Sequence, residues 1–532
     1  MKKMRVAALA LAFIFTLSML SLAGCGNPET PPAPAAAAAP APAAPAEVPL
    51  EEVPPEEVPP EEVIEITMVY LISGRESPPG VPEVFEAINA ITGPEIGVHV
   101  TPMIFEWGMY AQQVGLMLTA REPIDLLITT PSGATSFSVA APQGHFMAID
   151  DLLQEYGQDI LRILGPLATG TMLGGETLGV TGWRSMVQNV YVAMRKDTLI
   201  ELDILEQAQN VTSMDDLTEI FAIVAENTSL VPVVAAADAN ILSFGGYVFA
   251  NEFANWSAFD TLGCTLQLIR STPDGRVLNV YETPEFRQSI EQVRYWYERG
   301  FVYRDLAIAT EHAANYIRND VGFAYFLGTE AGGTISHQNI AGTELLFVPV
   351  TSGPQVGTGQ TRSFVWTIPS ASREPEAAMR FLNMMFTDRR IMTLITYGIE
   401  GRDFIVRPDG MAQFPEGLDQ ASVPYHFSNF LFGNQFLLYP WYGTSPDLRI
   451  RAEADMERIG ASQFLGFSAD LSEVQHEVAA VQGVLDQFRR QLVAGSAPMT
   501  VFDEFVERLQ QVGANDIVAE YQRQLDEWLA NR

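Results

Sequence analysis

The side chains able to do chemistry in this 532-residue chain are two cysteines, three lysines and six histidines. Cys25 closes the tetrapeptide LAGC at 22–25, behind a positive leader (Lys2, Lys3 and Arg5) and an apolar run at 6–20. That run is shorter than the about 20 residues of a membrane span and suits a secretion leader instead. A branched apolar residue, two small residues and then cysteine form the pattern at which a leader is cut and the thiol acylated. Cys25 is therefore expected to carry a lipid anchor (palmitate or a similar acyl chain) on a secreted protein. Once Cys25 is acylated, Cys264 has no partner for an intramolecular disulfide. Its setting, TLGCTLQLI, suits a small buried hydrophobe rather than a nucleophile.

The other reactive groups exclude more than they assign. Lysine occurs only at 2, 3 and 196, and Lys196 follows Met-Arg, so no GxxxxGK[ST] phosphate loop exists. His99, His145, His312, His337, His426 and His476 are scattered without HExxH or other metal-ligand spacing. There is no GxSxG elbow and no Cys–His pairing. The expectation is no catalysis, no cofactor and no metal. The formal net charge of −34 makes nucleic acid and anionic lipid poor partners, so membrane contact has to come from the acyl chain. Residues 27–63 are almost wholly Pro, Ala, Glu and Val and end in EEVPPEEVPPEEV. Prolines without backbone donors and mutually repelling glutamates cannot build a core. The segment reads as an extended tether reaching on the order of 100 Å at most.

The elements that must position any site come after it. EITMVYLI at 65–72, VHVTPMIF at 98–105 and IDLLITT at 124–130 read as strands. Between them, 82–93 reads as a helix ended by Gly93-Pro94, and 107–120 as a helix with Tyr110, Val114, Met117 and Leu118 on one side. Strand and helix alternating through short connectors predict a parallel α/β unit, in which ligands sit at the carboxyl ends of the strands. Those ends are SGRES at 73–77, FEWGMY at 105–110 and TPSGATSF at 130–137. A second α/β stretch follows. It has a strand running into a helix over 189–202, a helix at 213–227 capped by Ser213, and strands at 231–236 and 320–328. Further on come helices at 283–301 and 375–388 and a strand at 362–370. In 471–492, Leu471, Val474, Val478, Val481, Leu485, Phe488 and Leu492 make one apolar stripe. That helix and two more to the end of the chain are expected to pack on the body.

Four stretches carry a resemblance to family-1 extracellular solute-binding proteins of bacterial ABC importers, in particular LipO-like lipoproteins with a helical C-terminal domain. They are FEWGMYAQQVGLMLTAREPIDLLITT at 105–130, VLNVYETPEFRQSIEQVRYWYERGFVYRD at 277–305, REPEAAMRFLNMMFTDRRIMTLITYGIEGRDF at 373–404, and LGFSAD at 465–470 leading to YQRQLDEWL at 521–529. The third is the most specific. The resemblance implies an α/β, two-lobed periplasmic-binding-protein-like fold of type II, with an interlobe cleft and a helical C-terminal extension. The expected divisions are a lipoprotein leader at 1–24, the anchor and tether at 25–63, an N-terminal lobe from 64–183 with its return at 362–464, a C-terminal lobe at 184–361, and a helical domain at 465–532. The implied function is capture of a small-molecule solute, an oligosaccharide above all, for the membrane subunits of an ABC permease. Such a receptor is expected to work as a monomer held to the bilayer through Cys25. Competing readings are a secreted glycoside hydrolase, which needs two carboxylates facing across the cleft, a receptor for peptides or other solutes, and a structural lipoprotein.

Sugars call for aromatic platforms under their C–H faces and polar groups for their hydroxyls. Trp183 lies in TGWRSM at the expected first lobe crossing, with Arg184 beside it, and Trp366 lies in RSFVWTIPS at the return crossing. Trp256 sits in the polar setting NEFANWSAF. Glu76, Ser132 and Asn251 fall on loops at or near strand ends, and Glu400 lies in GIEGRD, where Arg402 could pair with it to hold the turn. These are the candidate ligand contacts. Trp107 also follows a strand end, but the resemblance implies packing between strand and helix there, and it is set aside.

Overall fold

The computed structural model describes residues 63–532 apart from 73–76, 187–188, 235–259, 265, 267, 310–312, 330–333, 352–354 and 421. Cys25, the tether, Glu76, Asn251 and Trp256 therefore lie outside the described residues. β1 (Ile64–Ile72) pairs in parallel with β2 (Val98–Glu106) along its whole length, ending with Ile72 opposite Glu106. On its other side β1 pairs in parallel with β3 (Leu126–Ile128). Because β1 is paired on both sides and covered on both faces, Met68, Val69, Tyr70 and Leu71 are all buried in succession. β2 is the edge strand and holds Pro102, which has no N–H to lose to a further neighbour.

Two helices connect these strands, α1 (Val81–Ile96) and α2 (Trp107–Ala120). α2 buries the stripe Tyr110, Val114, Met117 and Leu118, as its periodicity requires. α1 runs past Gly93-Pro94, where the sequence suggested a stop. It ends instead at Gly97, whose left-handed backbone (φ 64°) lets its N–H reach Gly93 O and Thr92 O. Pro94 falls in the last turn, where one missing N–H is tolerated because the glycine cap satisfies neighbouring carbonyls.

The first sheet is completed by chain that returns from far downstream. Strand Val365–Thr367 lies antiparallel to β3, and Val180–Thr181 lies antiparallel to its other side. The resulting order is β2, β1, β3, 365–367, 180–181. A second sheet has the order Leu345–Thr351, Asn189–Arg195, Gly322–Thr329, Val231–Val233. Helix Met214–Asn227 of this second body starts with a reciprocal cap, Ser213 accepting from Asp216 N while the Asp216 carboxylate accepts from Ser213 N.

Each sheet has its own core. One gathers buried residues from 66–186 and 356–465, and the other gathers residues from 192–348 together with the C-terminal helices. Gln475–Val493, Met499–Gln511 and Ala514–Ala530 contribute Val481, Leu485, Phe488, Phe505, Leu509, Ile517 and Leu525 to that second core. Among the described residues the chain thus passes between the cores three times, after Met186, before Val356 and after Met456. At the carboxyl end of the first sheet Thr181 leads out towards the second, and the second sheet receives it with Asn189 opposite Thr329 and Val190 opposite Thr351.

Candidate functional site

The carboxyl ends of the first sheet carry a row of three aromatic rings. Trp107 opens α2, and its ring centroid lies 5.9 Å from that of Phe364. Phe364 in turn lies 5.2 Å from Phe430. Trp107 is 41% exposed and Phe430 38% exposed, large values for aromatics that already touch one another.

Local structure explains each ring's place. Glu106 caps α2 by accepting from Gly108 N at 2.7 Å, which sets the entry of the helix at the end of β2. The Tyr110 hydroxyl donates to Ile128 O and so pins the first turns of α2 over the end of β3. Phe364 immediately precedes Val365, whose N–H donates to Thr129 Oγ1 and whose carbonyl accepts from Thr129 N. The turn after β3 is self-held: Thr130 Oγ1 donates to Ser132 O at 3.0 Å and Ser136 Oγ to Gly133 O at 2.8 Å. Ser132 is exposed at its tip, on the same sheet edge as the rings.

Behind the rings lie the crossings. Trp183 is half-buried. Its N–H donates to Gly433 O, its carbonyl accepts from Gln435 N, and its indole nitrogen donates to Glu453 Oε1 at 3.3 Å. Its ring meets Phe436 edge-on at 5.6 Å. The Arg184 guanidinium donates through Nη2 to two carbonyls of the second crossing, Gln360 O and Ser363 O, both at 3.1 Å. Arg362 is buried and donates to Gly170 O and Met172 O, and with no carboxylate among these partners burial pulls its pKa down to about 10. The second and third crossings are zipped together where Val356 N donates to Gly460 O and Ser462 N to Val356 O. Asp260, 7% exposed, stands against this zipper. Its carboxyl accepts from Leu262 N, and a Cβ added at Gly357 would lie 2.8 Å from its Oδ2. Burial raises its pKa, against the opposing pull of Ser462, the local amides and the Arg270 charge.

These positions revise the sequence-based candidates. Trp366 is 0% exposed, donates its indole N–H to Leu431 O and stacks on Phe432. Its strand lies inside the sheet, so the ring is spent on the core and not on a cleft wall. Trp183 and Arg184 do sit at a crossing, with Trp183 Nε1 and Arg184 Nη2 engaged by protein groups. Glu400 is exposed on the turn after helix Arg389–Tyr397. Arg402 there pairs with Asp403 and reaches Gly80 O rather than Glu400, so it ties that turn to the start of α1. No described contact joins Glu400 to the row of rings.

Trp107 is the residue set aside as packing between strand and helix, and Phe364 and Phe430 were not among the candidates. Trp107 stands three residues before Tyr110, in phase with the stripe of α2. In the first turn of a helix, however, the Cα–Cβ bond tilts back past the N-terminus, here beyond the end of the sheet. Phe364 and Phe430 come from distant segments, and nothing local marked them. Cys264 is buried, as its apolar setting suggested.

Comparison with known proteins gives a consistent set. Residues 463–530 match the domain of unknown function DUF3502. Over 466 residues the chain is 22% identical to a carbohydrate ABC transporter substrate-binding protein of Streptococcus pneumoniae, covering 86% of this chain and 90% of that one. The structure of the N-glycan transport solute binding protein (NgtS) from the same organism superposes with a TM-score of 0.72 at 20% identity, covering 88% of this chain and 99% of that one. Its complex with Man5GlcNAc gives 0.60 over the same shares, again at 20% identity. An HMO-binding, ABC-transporter-associated solute-binding protein from Bifidobacterium longum infantis gives 0.60 at 14% identity, covering 87% and 99%. The chain thus has the two-lobed fold of the extracellular solute-binding proteins, with a DUF3502 region as its helical end.

Proposed function

We propose that this protein is an extracytoplasmic receptor of an ABC importer, that it takes an oligosaccharide between its lobes, and that Cys25 anchors it to the membrane by lipid. The observation that carries the reading is the row Trp107–Phe364–Phe430 at the carboxyl ends of the first sheet. Exposed rings at that edge offer the flat apolar surface that sugar C–H faces need, and the row is long enough for more than one sugar ring. Ser132 stands at the same edge with a hydroxyl to offer, and Glu76, Asn251, Trp256 and Glu400 remain proposed contacts. The relatives support the ligand class: one is named for carbohydrate and another was crystallised with Man5GlcNAc.

The test is thermal denaturation of the protein without its leader, against oligosaccharides of the mannose/N-acetylglucosamine and milk types, peptides and small metabolites. A ligand at 100 times its Kd is expected to stabilise the protein by about 2.7 kcal/mol. If no sugar moves the melt while cleaved glycan accumulates in the same tubes, the protein is a hydrolase and the receptor reading fails.

A further inference from the structure

Phe364 has a backbone that a phenylalanine rarely adopts: its φ is 60°, in the left-handed region. A glycine would take that conformation freely, yet the chain puts there the middle ring of the aromatic row. A bulky side chain kept in an unfavourable backbone is held by its surroundings, and such residues gather at functional sites.

The surroundings are visible on both sides. After Phe364, Val365 is locked to Thr129 by two hydrogen bonds, N–H to Thr129 Oγ1 at 3.0 Å and carbonyl from Thr129 N at 2.8 Å. Before it, Ser363 Oγ donates to Gly359 O, and Arg362 is buried with its guanidinium 5.3 Å from the Phe137 ring centroid. The peptide joining Ser363 to Phe364 is the hinge of the whole arrangement, because its plane sets φ of Phe364. The carbonyl of that peptide accepts a hydrogen bond from Arg184, which belongs to the first crossing. The same Nη2 also holds Gln360 O, so one guanidinium clamps both ends of the turn that leads to the ring.

We propose that Arg184 is a positioning residue for the sugar platform. By holding the Ser363–Phe364 peptide it keeps Phe364 left-handed and its ring in line between Trp107 and Phe430. A residue of the first crossing thereby controls the order of the platform. The assignment rests on the receptor reading for its purpose. Its geometry stands without it.

The test is a double-mutant cycle with a ligand-free control. Arg184→Gln, Phe364→Ala and the double variant are titrated with an oligosaccharide that wild type binds. Each single variant is expected to lose at least 10-fold in affinity, and the double variant to match Phe364→Ala alone, because Arg184 acts through that ring. Phe364→Gly, which relieves the backbone but removes the ring, is expected to lose affinity without losing melting temperature. Hydrogen exchange of segment 360–366 in ligand-free Arg184→Gln is expected to quicken several-fold while β1 keeps its protection. Losses that multiply in the double variant would show a direct Arg184–ligand contact and overturn the proposal, as would unchanged exchange over 360–366. A wild type that binds no sugar, beside a quickened segment in Arg184→Gln, would sink the receptor reading and leave the positioning role standing.

Discussion

Trp107 is the residue whose replacement separates binding from stability most cleanly. Its ring is 41% exposed, so Trp107→Ala removes little core. We expect affinity to fall by roughly 1–3 kcal/mol by titration calorimetry, in the range of aromatic anchors at binding surfaces, with the melting temperature nearly unchanged. A collapse in stability would return Trp107 to the packing role its sequence context suggested. Gly357 has the opposite profile. Its φ of −100° suits any residue, but a methyl there would press on both oxygens of Asp260, at 2.8 and 3.0 Å. Gly357→Ala should therefore destabilise by about 1–3 kcal/mol in urea unfolding, and an unchanged midpoint would mean the zipper gives way freely. Asp260 itself sets a pH signature. Burial raises its folded-state pKa above the ordinary value of 3.8, so the folded protein holds this proton more tightly than the unfolded chain. Its contribution to stability is thus full below that ordinary value and is lost as pH rises through the raised one. Asp260→Asn should flatten the part of the melting profile that falls as pH rises above 3.8. A profile that superposes on wild type would assign the slope to other groups.

At the scale of elements, the C-terminal helices form part of the second lobe. Phe505 is fully buried, with rings of Tyr281 at 5.3 Å and Phe488 at 5.8 Å around it. Gln522 satisfies both Val277 N at 2.8 Å and Gly275 O at 3.0 Å, closing a turn of the lobe with a helix side chain. Phe505→Ala is expected to cost about 3–5 kcal/mol, the usual range for emptying such a site, and to lower the unfolding of the second lobe as a whole. If the tail alone unfolded early while strand Gly322–Thr329 stayed protected from hydrogen exchange, the helices would be a separate domain. These helices were legible from their apolar period, as was the stripe of α2, because a helix face is written within a few turns of sequence. The end of α1 was not. Gly93-Pro94 looks like a stop, and only the cap at Gly97 shows why the helix tolerates it. The strand at 362–370 was likewise placed correctly but read too long, since regular pairing covers only Val365–Thr367 and beyond it an isolated bridge joins Pro369 to Phe146.

At the scale of the molecule, the proposed lipid anchor at Cys25 would hold this acidic chain, of formal net charge −34, at a membrane. Cys25→Ala is expected to lose palmitate labelling and move the protein from the membrane fraction to the medium. Labelling that persists would place the acyl chain elsewhere.

The sequence by itself determined the alternation of elements, the apolar faces, the LAGC tetrapeptide at 22–25 and the absence of GxSxG or phosphate-loop spacing, because these are local in the chain. Tertiary structure alone decided which tryptophan meets solvent. In the sequence Trp366 stood at an expected lobe crossing and Trp107 looked like packing. Strand order then encloses Trp366 between β3 and Val180–Thr181. The first turn of α2 carries Trp107 out past the sheet, beside rings brought from residues 364 and 430. A platform assembled from three distant segments has no period and no motif. Its members become visible only when pairing of non-local strands fixes their common edge.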